Sequence, residues 1–112
     1  MTLLPNYKQA FIALEKLNDY CLNPLHPVGK DKAIVFRSAL GFTDQDANLL
    51  SRIIIEQLPE NEAILGKVDQ YGKRYEVDMK ICNLDKVAVI RTGWIIKKSE
   101  DFPRLITCYV IK

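Results

Sequence analysis

The chain has 112 residues, of which 48% are hydrophobic and 27% charged, a composition typical of a globular protein rather than a disordered or membrane protein. Its formal net charge of +2 is too small to indicate a nucleic-acid-binding protein by itself. Three cysteines without Cys-x-x-Cys spacing and one histidine argue against a zinc site and favour buried thiols in a reducing compartment. We expect residues 1–112 to form a single domain.

The start of the chain has no basic segment followed by a long apolar run, so no signal peptide is predicted. No stretch approaches the roughly 20 consecutive apolar residues of a membrane span. We therefore expect a cytoplasmic protein that does not associate with membranes.

Three helices are predicted in the first half of the chain. The first covers residues 7–17, where apolar side chains recur at helical spacing, and residues 18–29 are predicted to be irregular because of two Xaa-Pro steps. The second covers residues 30–40, and Gly41 is placed to end it in a left-handed turn. The third begins after Thr43, a good N-cap, and ends at Pro59.

Everything after Pro59 is predicted to be β structure. Runs rich in β-branched and aromatic residues indicate four strands, at about 63–69, 73–81, 87–97 and from 104 to the end. Short loops between successive strands favour an antiparallel meander, because parallel pairs need longer crossovers. The prediction is an α+β fold in which about three N-terminal helices pack on one face of a four-stranded antiparallel sheet.

One face of this sheet is expected to be at least partly open to water. The second strand alternates between apolar and charged residues, which is typical of a strand with one solvated face. In the fourth strand the apolar set Ile106, Cys108 and Val110 is expected to face the helices. Thr107 and Tyr109 would then point outward, in the neighbourhood of Thr92 and Trp94.

An open sheet with aromatic and cationic side chains would suit a nucleic acid. Trp94 and Tyr109 could stack on unpaired bases, and Arg91 and Arg104 could bind phosphate through paired hydrogen bonds. The alternative is that both aromatic residues belong to the core and both arginines are solvated or paired with the carboxylates of Asp78 and Glu76. Arg91 has the opposite strand parity to Thr92, so the two share one surface only if a bulge re-aims one of them.

His26 is the one histidine, and it lies in a loop that leads into the second helix. Imidazole changes its charge near neutral pH, which makes His26 a candidate general acid or base. The start of the helix together with Lys30 and Lys32 could bind phosphate. The alternatives are a structural histidine and two solvated lysines.

Several other kinds of site are absent from the sequence. No spaced pair of carboxylates, nucleophile elbow or phosphate-binding glycine loop is present. Among enzymes, these absences favour phosphodiester chemistry that requires one acid or base and cations on the phosphate, with no metal and no cofactor.

Two signatures carry a resemblance: HPVGKDKA from His26 to Ala33, and RTGWI…PRLITCYV from Arg91 to Val110. Through them the chain, from about Tyr7 to Ile111, resembles a bacterial family of small domains of unknown function that is common in cyanobacteria. Similar domains occur alone and at the C-termini of larger bacterial and phage-derived proteins, including polymorphic toxins. The order of helices followed by a meander is also similar to the barnase–EndoU–colicin–RelE ribonuclease fold.

The resemblance implies a metal-independent endoribonuclease-like toxin of a toxin–antitoxin type system, in which the RNA 2′-hydroxyl attacks its own phosphate. It assigns acid–base catalysis to His26 and stabilisation of the charged phosphorane to Lys32, Arg91 and Arg104. The residues that would contact phosphate, ribose or base are Thr92, Trp94, Thr107 and Tyr109. RNA is the expected substrate, a small antitoxin protein the expected partner, and a homodimer an alternative assembly. The competing hypothesis is a non-enzymatic protein-interaction module that uses the exposed sheet face or edge. A third hypothesis is an immunity protein or antitoxin, which the lack of a pronounced acidic face disfavours.

Overall fold

The second half of the chain forms one antiparallel sheet. The computed structural model describes residues 1–112, with strands β1 (Ala63–Asp69), β2 (Gly72–Asn83), β3 (Lys86–Lys97) and β4 (Arg104–Val110). The strands are hydrogen-bonded in chain order, so β1 and β4 are the two edges of a meander. The predicted strand number, order and orientation are confirmed.

Three helices precede the sheet. They are α1 (Leu14–Lys16), which continues as a π-helical turn at Leu17–Cys21, then α2 (Lys30–Leu40) and α3 (Ala47–Gln57). Gly41 ends α2 with a φ of 73°, and Thr43 caps the 3-10 turn (Asp44–Asp46) that leads into α3. The predicted second and third helices are confirmed. None of the helices has the length and apolar character needed to cross a membrane.

The predicted first helix over residues 7–17 is wrong. A 3-10 turn occupies Tyr7–Gln9, and the chain is then extended until α1 begins. The Phe11 N–H donates to the Pro103 carbonyl oxygen (2.9 Å), and the Leu105 N–H donates to the Phe11 carbonyl oxygen (3.0 Å). Pairing with β4 thus takes the place of the helix that the apolar spacing indicates. The irregular segment predicted for residues 18–29 is also wrong over its first residues, which are π-helical.

The helices cover one face of the sheet and bury its apolar residues. Val77 and Met79 of β2 and Ile90 of β3 are at most 1% exposed, and they pack with Phe36 of α2 and Leu50 of α3. The opposite face carries charged and polar side chains, including Glu76, Asp78, Arg91 and Tyr109. The prediction of helices on one face of the sheet is confirmed.

A bulge in β4 changes which of its residues face the helices. Thr107 pairs with Gly93, but Leu105 pairs with Trp94, so Ile106 is left out of the register. Leu105 is therefore buried in the core, and the prediction that Ile106 faces the helices is wrong. Cys108 and Val110 pack in the core or against it, as predicted.

Candidate functional site

Thr92 and Trp94 lie in the core, so the prediction that they contact a ligand on the open face is wrong. Both are 0% exposed. The indole Nε1 of Trp94 donates to Thr92 Oγ1 (2.8 Å), and Thr92 Oγ1 donates to the Val77 carbonyl oxygen (2.8 Å). These bonds satisfy the polar groups of two side chains that strand parity directs toward the helices.

Arg91 lies on the open face but is already paired. Its Nε and Nη2 donate to the two carboxylate oxygens of Asp78 (2.9 and 3.1 Å), and Nε is 3.7 Å from Glu76 Oε1. The hydrogen bonds to Asp78, and after them the Tyr109 side chain, raise the pKa of Arg91. The alternative that Arg91 pairs with Asp78 and Glu76 is confirmed.

Arg104 is paired in the same way at the other end of β4. Its Nε and Nη2 donate to the two carboxylate oxygens of Glu100 (2.8 and 2.7 Å), which raises the pKa of Arg104 and lowers that of Glu100. Arg104 stands opposite Ile95, whereas Tyr109 stands opposite Arg91. The two arginines therefore lie four residues apart along β3 and do not converge on one site.

Lys32 of α2 is the centre of a cluster at the β4 edge. Its Nζ donates to the Tyr20 hydroxyl (2.6 Å) and to Thr107 Oγ1 (3.3 Å), and it lies 5.6 Å from the centroid of the Tyr109 ring. No carboxylate lies within 4.0 Å of this ammonium group. The cluster formed by Tyr20, His26, Lys32, Thr107 and Tyr109, called the Lys32 site below, thus contains a partly buried cation without a carboxylate partner.

Tyr20 is the residue of this site that sequence reasoning missed. Its hydroxyl oxygen accepts from Lys32, which leaves the hydroxyl proton free for a further acceptor. Its ring packs edge-on against the His26 ring, with 5.0 Å between centroids. The sequence offers no signal for this role beyond the position of Tyr20 shortly before the HPVGKDKA signature.

His26 organises the loop that joins Tyr20 to α2. Its Nδ1 accepts from the backbone N–H groups of Val28 (3.0 Å) and Gly29 (2.9 Å), and its carbonyl oxygen accepts from the Lys30 N–H (3.0 Å). Because Nδ1 is the acceptor of two bonds, neutral His26 carries its proton on Nε2. To act as a base through Nε2, the His26 ring would have to carry its proton on Nδ1 instead, which would break both backbone hydrogen bonds. This geometry therefore favours a structural role for His26.

Two cysteines lie below the Lys32 site. The Cys108 N–H donates to Cys21 Sγ (3.4 Å), and both residues are 0% exposed. The Cys108 side chain hydrogen-bonds to Cys21 and lowers the pKa of the Cys21 thiol to about 7 against the effect of burial, while the pKa of Cys108 is raised. The prediction of buried thiols is confirmed for these two and wrong for Cys82, which is exposed.

A shallow pocket of about 500 Å³ adjoins the Lys32 site. Tyr20, His26, Val28, Ala13 and Lys16 line it together with two carboxylates, those of Glu15 and Asp19. No group of three or more His, Cys, Asp or Glu side chains lies close enough together to hold a metal ion. The site therefore offers a cation, hydroxyl groups and an imidazole beside an open pocket that is also lined by two acidic residues.

The fold and the site define a small α+β domain whose sheet is covered on one side and carries a cationic, hydroxyl-rich cluster at one edge. The chain belongs to the family described as Domain of unknown function (DUF6883), whose profile matches residues 3–112. This confirms the predicted membership of a family of unknown function. No match to a curated protein was found.

The fold is similar to that of one chain in a contact-dependent growth inhibition toxin–immunity protein complex from Klebsiella pneumoniae 342. The TM-score is 0.64 at 16% sequence identity, and the alignment covers 89% of this chain and 98% of the other. At this level of identity the similarity concerns the fold.

Proposed function

We propose that this domain is a metal-independent endoribonuclease-like toxin that acts on RNA at the Lys32 site. The observation that carries the proposal is the Lys32 ammonium group, which is held between the hydroxyl groups of Tyr20 and Thr107 and has no carboxylate partner. A fixed, partly desolvated cation of this kind suits the charge that develops on a phosphate during transfer. A lysine with a purely structural role would more commonly be paired with a carboxylate or extended into solvent.

The similarity in fold supports a toxin-like or an immunity-like role, because the matched chain is one of the proteins in a toxin–immunity protein complex. The Klebsiella chain belongs to a complex of a toxin and its immunity protein, and its fold is matched over most of both chains. By analogy, this domain would have a protein partner that covers the Lys32 site and blocks it. Such a partner would correspond to the antitoxin that the sequence predicts.

The chemistry requires one bond to form and one to break at phosphorus. The 2′-oxygen attacks the adjacent phosphate, its proton passes to solvent, and the bond from phosphorus to the 5′-oxygen breaks. Lys32 would stabilise the phosphorane oxygens, and the free proton of Tyr20 would go to the departing 5′-oxygen and be replaced from solvent. The products would be a 2′,3′-cyclic phosphate and a 5′-hydroxyl end.

The other residues of the Lys32 site would position the substrate and the catalytic groups. Thr107 and Tyr109 stand next to each other on the edge strand and could hold phosphate or ribose oxygens. His26 would hold the loop and the Tyr20 ring through its two backbone bonds. Arg91 would orient Tyr109, since its own charge is balanced by Asp78 and Glu76.

The test is regulated expression in bacteria that lack an antitoxin, followed by RNA cleavage with the purified protein. Wild type should arrest growth and cleave RNA, and Lys32→Met should lower the cleavage rate about 100- to 1,000-fold because the phosphorane loses its cation. Lys30→Met is the matched control, because Lys30 is an exposed lysine of the same helix that makes no side-chain hydrogen bond. Absence of both growth arrest and RNA cleavage in the wild type would contradict the proposal.

A second function is favoured by the other edge of the sheet. β1 has no strand on its outer side, although its Ala63 N–H donates to the Thr2 carbonyl oxygen, and its Ile64, Leu65 and Val68 are 54–57% exposed. An exposed apolar edge strand can add a strand from another protein. On this alternative, Leu65→Lys abolishes binding of a partner isolated with the domain, Lys32→Met leaves it intact, and no RNA is cleaved.

A further inference from the structure

Phe11 presents an aromatic ring at the surface although its backbone is fixed. Its N–H and carbonyl oxygen both pair with the segment that begins β4, and its side chain is 46% exposed. The guanidinium carbon of Arg104 lies 5.2 Å from the centroid of the Phe11 ring and 4.9 Å from that of Phe102. The Glu100 carboxylate fixes the same guanidinium from another side. The result is a rigid stack with one ring accessible to solvent.

Two lysines lie beside this ring, and one of them, Lys97, is near enough to the Glu100 carboxylate to help lower its pKa, after Arg104. Lys16 and Lys97 line a pocket of about 240 Å³ together with Phe11 and Arg104. Both lysines are exposed, and neither has a carboxylate within 4.0 Å. An accessible ring with exposed cations next to it is the arrangement on which unpaired bases stack while their phosphates are neutralised.

This pocket adjoins the one at the Lys32 site. Ala13 and Lys16 line both, so one continuous surface runs from Tyr20 and His26, across Lys16, to Phe11. Glu15 and Asp19 also line the pocket at the Lys32 site, so an anionic ligand can pass between the two pockets only along Lys16. A ligand that occupies both pockets must be extended, and it must carry a planar ring for Phe11 and negative charge for Lys16 and Lys97. A single-stranded RNA meets these conditions.

We propose that the surface formed by Phe11, Lys16, Lys97 and Arg104 is a nucleotide subsite that binds the RNA strand next to the cleaved phosphate. A base stacks on the Phe11 ring, and the phosphate between this base and the Lys32 site lies against Lys16. This inference rests on the proposed function. It specifies the substrate as single-stranded RNA several nucleotides long, because a dinucleotide would reach only the Lys32 site.

The test measures binding of two RNA ligands that carry 2′-fluoro in place of the attacking hydroxyl and so cannot be cleaved. The long form is the RNA segment that the wild type cleaves, and the short form is only its central dinucleotide. Phe11→Ala should weaken binding of the long form roughly 5- to 150-fold, the usual range for loss of one stacked base. Binding of the dinucleotide should be unchanged, and Phe11→Tyr should restore the affinity for the long form. Because the Phe11 ring is half exposed, an intact fold is expected, and circular dichroism checks it.

Charge is tested with two adjacent lysines. Lys97→Gln should weaken binding of the long form and reduce the salt dependence of its affinity by about 0.7 in slope, the value for one phosphate of a single strand. Lys98→Gln removes the same charge at the adjacent residue, which lies outside this pocket, and should have little effect on the affinity or on its salt dependence. If the wild type cleaves RNA but Phe11→Ala binds the long and short forms as the wild type does, the subsite is contradicted and the proposed function is not. If the wild type neither binds nor cleaves RNA, the proposed function falls and the subsite falls with it.

Discussion

The bonding of the His26 ring distinguishes a positioning role from a catalytic one. Nδ1 accepts two backbone N–H groups at the start of α2, and a side-chain amide oxygen can accept the same bonds. We expect His26→Asn to retain RNA cleavage within about tenfold, because loss of a general acid or base costs about 100- to 10,000-fold. Steady-state cleavage rates, with thermal unfolding as a control for folding, measure the difference. A loss of 100-fold or more in a folded His26→Asn protein would make His26 the acid or base after all.

The buried pair of Thr92 and Trp94 is expected to act on stability and not on RNA. Thr92→Val keeps the shape of the side chain but leaves the Trp94 N–H and the Val77 carbonyl oxygen without the bonds they now make. We expect the free energy of unfolding to fall by about 1–3 kcal/mol, the cost of unsatisfied buried polar groups. Urea unfolding measures this. An unchanged unfolding midpoint together with weaker RNA binding would contradict the core assignment.

At the scale of single residues, the sequence predicts the partners of Arg91, but not the pairing of Arg104 with Glu100 or the burial of Thr92 and Trp94. The charges of Asp78 and Glu76 in the strand before Arg91 were sufficient to suggest its partners. The polar character of Thr92 and the size of Trp94 suggest an exposed surface. Their burial depends on hydrogen bonds from Trp94 to Thr92 and from Thr92 to the Val77 carbonyl oxygen, which the pattern of one strand does not indicate. Tyr20 was missed for a similar reason, since its role depends on contact with Lys32, twelve residues further along the chain.

At the scale of elements, the loop between α1 and α2 packs directly on the π-helical turn because Gly29 has no side chain. A Cβ at this position would overlap the Tyr20 carbonyl oxygen and lie 2.9 Å from Tyr20 Cδ1. We expect Gly29→Ala to lower the free energy of unfolding by about 1–3 kcal/mol, as overpacking does, and to lower cleavage because Tyr20 is displaced. Denaturant unfolding and cleavage rates measure the two effects.

The matched control for this change is Gly66→Ala. Gly66 is exposed in β1, and a Cβ there would have only the Arg74 carbonyl oxygen near it, at an ordinary 3.5 Å. Its stability and activity should stay close to those of the wild type. Equal effects of the two substitutions would show that the close approach at Gly29 is unimportant.

The predicted elements fail where backbone pairing over long distances decides the structure. The apolar spacing over residues 7–17 is helical, yet Phe11 joins β4 because Pro103 and Leu105 offer backbone partners that only the folded sheet brings near. The bulge at Ile106 cannot be predicted from the sequence of β4 for the same reason, because a register shift depends on how β4 pairs with β3. Where the signals are local, as with Gly41 after α2 and Thr43 before α3, prediction and structure agree.

At the scale of the whole molecule, the layering follows from loop lengths and from the alternation in β2. Short turns require a meander, and a meander with one charged face leaves that face open when the helices cover the other. The location of the site does not follow from these rules. It depends on Lys32 extending from the helix layer to the edge strand, where it contacts Thr107. The sequence therefore yields the architecture and several members of the site, but not their convergence at the β4 edge.

The central claim is that this site cleaves RNA through the RNA's own 2′-hydroxyl group without a metal ion. The most direct measurement is the chemistry of the product ends after incubation of RNA with purified protein in excess EDTA. We expect undiminished cleavage, 2′,3′-cyclic phosphate and 5′-hydroxyl ends, and no cleavage where the attacking 2′-hydroxyl is replaced by hydrogen. Products with 5′-phosphate ends, or cleavage that stops in EDTA and returns with a divalent cation, would contradict it.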